Sequence, residues 1–154
     1  MAPILSMLQS DLIVGLGADG APCNNNMDPW VEMRHAALLG SIKTAPGELK
    51  ARDVLRMATI NGARMLGIDH LTGSLEVGKR ADLVVVNLDD VGVAPAVDPI
   101  ASLVYACQSR DVTDVMVDGR WLVSQRETVL FDAAEVAATA RDQARKVMAR
   151  ADIR

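Results

Sequence analysis

Residues 12–17 read Leu-Ile-Val-Gly-Leu-Gly, an apolar run without alternation that stops at glycines. Such a run predicts a short strand buried on both faces, of the parallel-sheet kind. The residues before it, 2–9, read as the end of a helix. Loop chemistry fills 18–27, with Gly20, Pro22 and Asn24-Asn25-Asn26. Asp28-Pro29 then opens a helix. Asp28 can accept a bond from an orphan backbone N–H, and Pro29 suits the first helical position. Glu32 lies in the first turn, where the helix dipole favours it. Trp30, Met33, Ala37 and Leu38 form its apolar face, and Gly40 reads as its stop. A second helix is predicted over 51–58, with Val54, Leu55 and Ala58 on one side. A break at Asn61-Gly62 and a short helix over 63–66, ending at Gly67, follow.

After Gly67 the pattern changes. Residues 82–87 contain Leu83-Val84-Val85-Val86, a strand. Asp98-Pro99 repeats the opening seen at Asp28 and starts a short helix through 106. Residues 112–117 and 120–123 flank Asp118-Gly119, and that pair supplies the positive φ values of a tight hairpin turn. Asp132 and Glu135 form an N-cap and N3 pair like a capping box, with Phe131 and Val136 at the staple positions. The last helix then runs to about residue 150, with Val136, Ala140, Ala144 and Val147 on one face. The order is mixed α/β. A lone parallel strand over 12–16 leaves N–H and C=O groups unpaired on both edges, so something outside the chain is expected to pair with it.

Composition narrows the function classes. The chain has 154 residues, half of them hydrophobic, which predicts one domain and excludes a disordered tail. Aromatics are 3%, so the core is built from Ala, Val, Leu, Ile and Met, and a base-stacking platform is not expected. A net charge of −4 argues against a general nucleic-acid binder. No run approaches the ~18 apolar residues of a membrane span. No basic segment marks a signal peptide. The two cysteines, Cys23 and Cys107, form no CxxC, so a disulfide framework is excluded and a reduced, cytoplasmic location is expected.

Several motifs carry competing readings. Gly15-Leu-Gly17-Ala-Asp-Gly20 matches G-x-G-x-x-G, but Pro22 and three asparagines follow where a nucleotide site needs a helix to begin. The run from Gly73 to Arg80 imitates a P-loop without its final Ser/Thr and precedes a strand, so Gly73, Gly78 and Lys79 read as turn chemistry. Asp19 sits just beyond the end of the predicted buried strand, the edge where α/β folds bind ligands. A carboxylate there can hold a metal or move a proton; an Asp-Gly pair is also a common turn. His35 reads as a helix-surface residue and His70 as a turn residue. Cys23 reads as a packed loop residue and Cys107 as core. The asparagines serve as turn formers or as hydrogen-bond donors beside Asp19.

Three motifs, in order, resemble one family. Val14-Gly-Leu-Gly-Ala-Asp19-Gly-Ala-Pro-Cys-Asn-Asn, with Glu32-Met33-Arg34, is similar to the strand-eight region of the amidohydrolase superfamily. Ala58-Thr-Ile-Asn-Gly-Ala-Arg-Met-Leu-Gly67 resembles the helix that follows. Gly73-Ser-Leu-Glu-Val-Gly-Lys-Arg-Ala-Asp-Leu-Val-Val85 looks like the return into the family's small β domain. Asp98-Pro99 and the segment from Val115 to Arg120 also match. The nearest branch is that of triazine hydrolases, guanine-type deaminases, and S-adenosylhomocysteine or methylthioadenosine deaminases. The resemblance implies a TIM barrel with a small β-sandwich built from both chain ends, and one divalent metal, zinc or sometimes iron. Earlier-strand histidines would bind that metal, and Asp19 would complete the site and move the proton. Asn24 and Asn25 are candidates to stand behind it, and no substrate-binding residue is assigned.

This chain departs from that pattern. It has only two histidines and no H-x-H. The expectation is therefore the last third of a longer metal-dependent enzyme. Residues 1–67 would give the last barrel strand and helices, 68–131 part of a composite sandwich, and 132–154 a C-terminal helix. The whole enzyme would hydrolyse a C–N or C–Cl bond of an aminated heterocycle such as a purine, nucleoside or triazine, as a homo-oligomer. The chain alone would be inactive. The alternatives are a non-enzymatic α/β module, or one half of a split enzyme whose complementing chain carries the histidines.

Overall fold

The computed structural model describes residues 2–20, 25–42, 45 and 47–152. Helices dominate the first half: α1 (Ile4–Gln9), α2 (Pro29–Ile42), α3 (Ala51–Ala58) and α4 (Ile60–Met65). Then come β1 (Leu83–Val86), α5 (Pro99–Tyr105), a 3-10 turn (Ser109–Asp111), β2 (Val112–Val117), β3 (Arg120–Ser124), β4 (Glu127–Thr128) and α6 (Ala133–Arg150). The mixed α/β content agrees with the sequence pattern. No helix among the described residues is long and apolar enough to cross a membrane.

Local chemistry accounts for most helix starts. The Asp28 carboxylate accepts the Trp30 amide at 2.9 Å. Asp98 accepts Ile100 and Ala101 amides at 3.0 and 3.2 Å. Asp132 accepts those of Ala134 and Glu135 at 2.8 and 3.1 Å. Each satisfies backbone donors that have no partner inside the helix. At α3 the cap is made from the other side: Asp53 accepts the Lys50 amide at 3.2 Å.

Two expected boundaries differ. α2 continues through Gly40 to Ile42. A Cβ on Gly40 would lie 2.5 Å from Leu49 Cδ2, so this glycine serves close packing against the buried Leu49 rather than a helix stop. The break between α3 and α4 falls at Thr59 (φ −127°, ψ −101°), and Asn61-Gly62 lies inside α4.

The core is helical. Val54 and Met57 of α3 and Val104 of α5 are fully buried against Met33, Ala36 and Ala37 of α2 and against Leu49. Ile4 and Leu8 of α1 pack on its flank, as do Val14 and Leu16. The strands form one antiparallel sheet in the order β1-β2-β3-β4. Asp118 (φ 49°) and Gly119 (φ 76°) make the tight turn between β2 and β3, as the sequence predicts. The second turn, which adds the unforeseen β4, uses Gln125 and Arg126 at positive φ. No strand residue is buried, and neither is any residue of α6.

The predicted strand over 12–16 is corrected: among the described residues it joins no ladder. A strand exists only with a neighbouring strand to bond, and the two acceptors found here, at Met7 and Met57, belong to helices. Instead the Leu12 amide donates to the Met7 carbonyl at 3.2 Å and the Leu16 amide to the Met57 carbonyl at 3.1 Å.

One carboxylate ties the sheet to the preceding loop. Asp82 accepts the Thr72 hydroxyl at 2.8 Å through one oxygen and the Asp118 amide at 2.7 Å through the other. The Asp118 amide first, then Thr72, holds its pKa below the ordinary 3.8. A depressed folded pKa gives stability that is present above 3.8 and lost as pH falls through the lower folded value. Urea unfolding of Asp82→Asn is therefore expected to show the largest deficit relative to the parent at neutral pH. The gap narrows as the parent is acidified through the folded-state pKa of Asp82, and a deficit that grows on acidification would contradict this account.

Candidate functional site

Asp19 lies on the loop that follows residues 12–16. The segment leading to it is fixed at two points. Val14 and Leu16 rest on the helical core, and the Leu16 amide is held by the Met57 carbonyl. Gly15 lies close over α4: a Cβ there would meet Met65 Sδ at 3.0 Å and Gly62 Cα at 3.2 Å. A Cβ at 15 would crowd the helix by a few tenths of an ångström, so glycine favours the close approach. Asp19 itself is exposed and adopts a left-handed backbone (φ 58°). Asp and Asn enter that region more readily than other residues with a Cβ. The left-handed backbone and the functional reading of Asp19 are thus compatible, since an exposed loop residue presents the carboxylate.

Asn25 is exposed on the same loop, also left-handed (φ 57°). Asn24 and Cys23 lie outside the described residues. His35, on α2, and His70 are both exposed. Among the described residues, no three His, Cys, Asp or Glu side chains gather where they could hold a metal ion. A protein-bound zinc takes three or four protein donors. One carboxylate on a loop does not fit that need, so the described residues do not hold zinc by themselves.

The phosphate readings do not hold. After Gly15–Gly20 the next helix among the described residues begins at Pro29, too late to aim its N–H groups at a pyrophosphate. Gly73 and Gly78 have positive φ (90° and 93°), and Lys79 is engaged by Ser74 at 2.6 Å and Glu76 at 3.3 Å. This is turn chemistry.

Long-range contacts that the sequence pattern did not signal tie α2 and its cap to residues 107–109. Arg34 donates through Nη2 to the Cys107 carbonyl at 2.6 Å, and the Ser109 hydroxyl donates to the second oxygen of Asp28. Cys107 is fully buried, as expected. Burial first, and Asp111 second, push its thiol pKa up, with Arg34 opposing. The group is a packed thiol rather than a thiolate nucleophile.

The model of the amidohydrolase family matches residues 1–122. The chain is 43% identical over 149 residues to a 5-methylthioadenosine/S-adenosylhomocysteine deaminase of Syntrophomonas wolfei, covering 96% of this chain and 35% of that protein. It is 40% identical over 153 residues to a 5'-deoxyadenosine deaminase of Methanosarcina acetivorans, covering 99% of this chain and 35% of that one. Among solved structures, an adenosine deaminase from Xanthomonas campestris with bound zinc superposes with a TM-score of 0.93 at 35% identity, over 97% of this chain and 34% of its own. The atrazine chlorohydrolase of Arthrobacter aurescens TC1, complexed with zinc, superposes with a TM-score of 0.84 at 32% identity, over 92% of this chain and 32% of its own. The chain thus spans about a third of the length of the curated relatives it matches.

Proposed function

This chain belongs to the amidohydrolase family, and on that premise we propose that it is the Asp19-bearing third of a hydrolytic deaminase acting on adenosine-type nucleosides. The observation that carries the reading is the placement of Asp19. It is an exposed carboxylate on a left-handed loop residue, at the end of a segment pinned to the helical core by Leu16 and by the Gly15 approach. In this reading residues 1–67 bring the last barrel strand and its helices, 68–131 bring part of a β-sandwich, and 132–154 bring a C-terminal helix. Residues 12–16 take up strand pairing once their neighbours are present.

Deamination replaces an amino group on an electron-poor ring carbon by an oxygen from water. The C–O bond forms, the C–N bond breaks and ammonia leaves. The protons must travel from the water to the leaving nitrogen, and Asp19 is the group of this chain suited to carry one. It would supply one oxygen donor to a zinc, with the histidine donors coming from residues other than these 154; Asn24 and Asn25 follow it in the sequence as candidates to stand behind it. The names of the relatives favour a 5'-modified adenosine over a triazine.

The test is a single-chain fusion of this sequence to the part of the Syntrophomonas wolfei deaminase that it does not match. Expected is ammonia release from methylthioadenosine, S-adenosylhomocysteine or 5'-deoxyadenosine by the fusion, and none by the 154 residues alone. A folded, zinc-loaded fusion that releases no ammonia from any of the three sinks the proposal.

A further inference from the structure

We infer that the Ser109 hydroxyl, through its bond to Asp28, fixes the end of the Asp19 loop, and that Ser109 is thereby a positioning residue for the reaction proposed above. The tie rests on the geometry; its role in the reaction rests on that functional reading. The loop that carries Asp19 has two ends. It enters at Leu16, whose amide the Met57 carbonyl accepts at 3.1 Å. It leaves at Asp28, and there one carboxylate serves two segments. One oxygen accepts the Trp30 amide at 2.9 Å and starts α2, and the other accepts the Ser109 hydroxyl. The Asp28 carbonyl accepts the Val31 and Glu32 amides at 3.1 and 3.3 Å. The residue that closes the loop is therefore also the one on which the first turn of α2 hangs.

The far side of the tie is firm. Cys107 is fully buried, and its amide donates to the Ser102 carbonyl of α5 at 2.9 Å. Asp111, also buried, accepts the Gln108 amide at 2.8 Å, and its own amide donates to the Gln108 carbonyl at 2.9 Å. The Asp111 carbonyl accepts the Asn87 amide, just past β1, at 2.8 Å. Residues 107–111 are thus bonded to α5 on one side and to the end of β1 on the other. Gln108 and Asp111 close the 3-10 turn between them, so the Ser109 hydroxyl is not spent on that closure. Arg34 repeats the link further along α2, through the Cys107 carbonyl at 2.6 Å. A loop held at one end samples more positions for the group it carries than a loop held at both. Without the Ser109 hydroxyl, Asp28 still caps Trp30, but its second oxygen loses the partner that fixes it across the fold. Reaction rate is sensitive to such play, since a displacement of ~1 Å can cost on the order of 10²-fold.

The test compares Ser109→Ala, Ser109→Thr and Ser41→Ala with the parent. Ser41 is the control on the same helix, because its hydroxyl donates locally, to the Ala37 carbonyl at 2.8 Å. Ser109 is exposed, so truncating it opens no cavity. In the chain itself, hydrogen exchange of the amides of residues 30–32 is expected to quicken at least ~3-fold in Ser109→Ala, the worth of one lost hydrogen bond, with residues 51–58 unchanged. The other two variants are expected to exchange at the parent rate. In the single-chain fusion, Ser109→Ala is expected to lower kcat roughly 3- to 30-fold with KM nearly unchanged, because a misplaced proton carrier weakens the transition state and not the ground state. Ser109→Thr is expected to restore the rate by returning the hydroxyl. The inference is overturned if Ser109→Ala exchanges like the parent, if it leaves kcat of an active fusion untouched, or if it raises KM alone. A parent fusion without activity sinks the functional reading and not the tie, which the exchange comparison then decides by itself.

Discussion

Asp19→Asn is expected to lower kcat of the single-chain fusion by a factor on the order of 10²–10⁴, the usual worth of a positioned proton carrier. Asn is the informative replacement. It keeps the side-chain shape, and it tolerates the left-handed backbone that position 19 adopts (φ 58°), so the turn survives. What is lost is the negative charge and the ability to take up a proton. Asp19 is exposed on its loop, so the unfolding midpoint should move little. Two measurements check the two roles separately. Metal analysis reports whether zinc content falls with the loss of the anionic ligand. Initial rates of ammonia release at saturating zinc report proton transfer. If the Asp19→Asn variant keeps more than a tenth of the parent rate, Asp19 has no part in the chemistry.

Met57→Ala is expected to destabilise the chain by about 2–5 kcal/mol, the range for truncating a large buried side chain. Met57 is fully buried, between the Val54 turn of its own helix and the α2 and α5 residues that close the core. The cavity would open where few other buried residues exist to compensate, since the sheet and α6 contribute none. Leu66→Ala is the matched control: Leu66 is 73% exposed and should shift stability by no more than about 0.5 kcal/mol. Urea unfolding of both variants, followed by circular dichroism, compares them. Equal midpoints would show that the helical cluster is not what holds the chain together.

Features decided within a few residues were legible in the sequence. Asp28-Pro29, Asp98-Pro99 and Asp132 each start a helix because the carboxylate and the amides it caps are neighbours along the chain. Asp118-Gly119 makes its hairpin for the same reason: both positive φ values belong to the turn itself. Features decided across the fold were not legible. Gly40 reads as a stop until Leu49 is seen lying over it. Arg34 finds its acceptor at Cys107, and nothing in the local pattern around either residue marks the other. The run over 12–16 has the composition of a buried strand, but pairing is a property of two segments, and only one is here. The candidate site divides in the same way. Asp19 was visible because it ends an apolar run and sits in a family motif. The rest of a metal site was not, because one carboxylate specifies neither the number nor the position of its co-ligands.

The break at Thr59 has a consequence for how Asp19 is held. In an uninterrupted helix through residues 51–65, the carbonyl of Met57 would accept the amide of Asn61, four positions on. The turn at Thr59 releases that oxygen, and the Leu16 amide takes it. Helical continuity and anchorage of the carboxylate-bearing segment therefore draw on the same oxygen. A substitution that straightened the helix would make the Leu16 amide share that oxygen with Asn61 and loosen the mooring of the Asp19 loop.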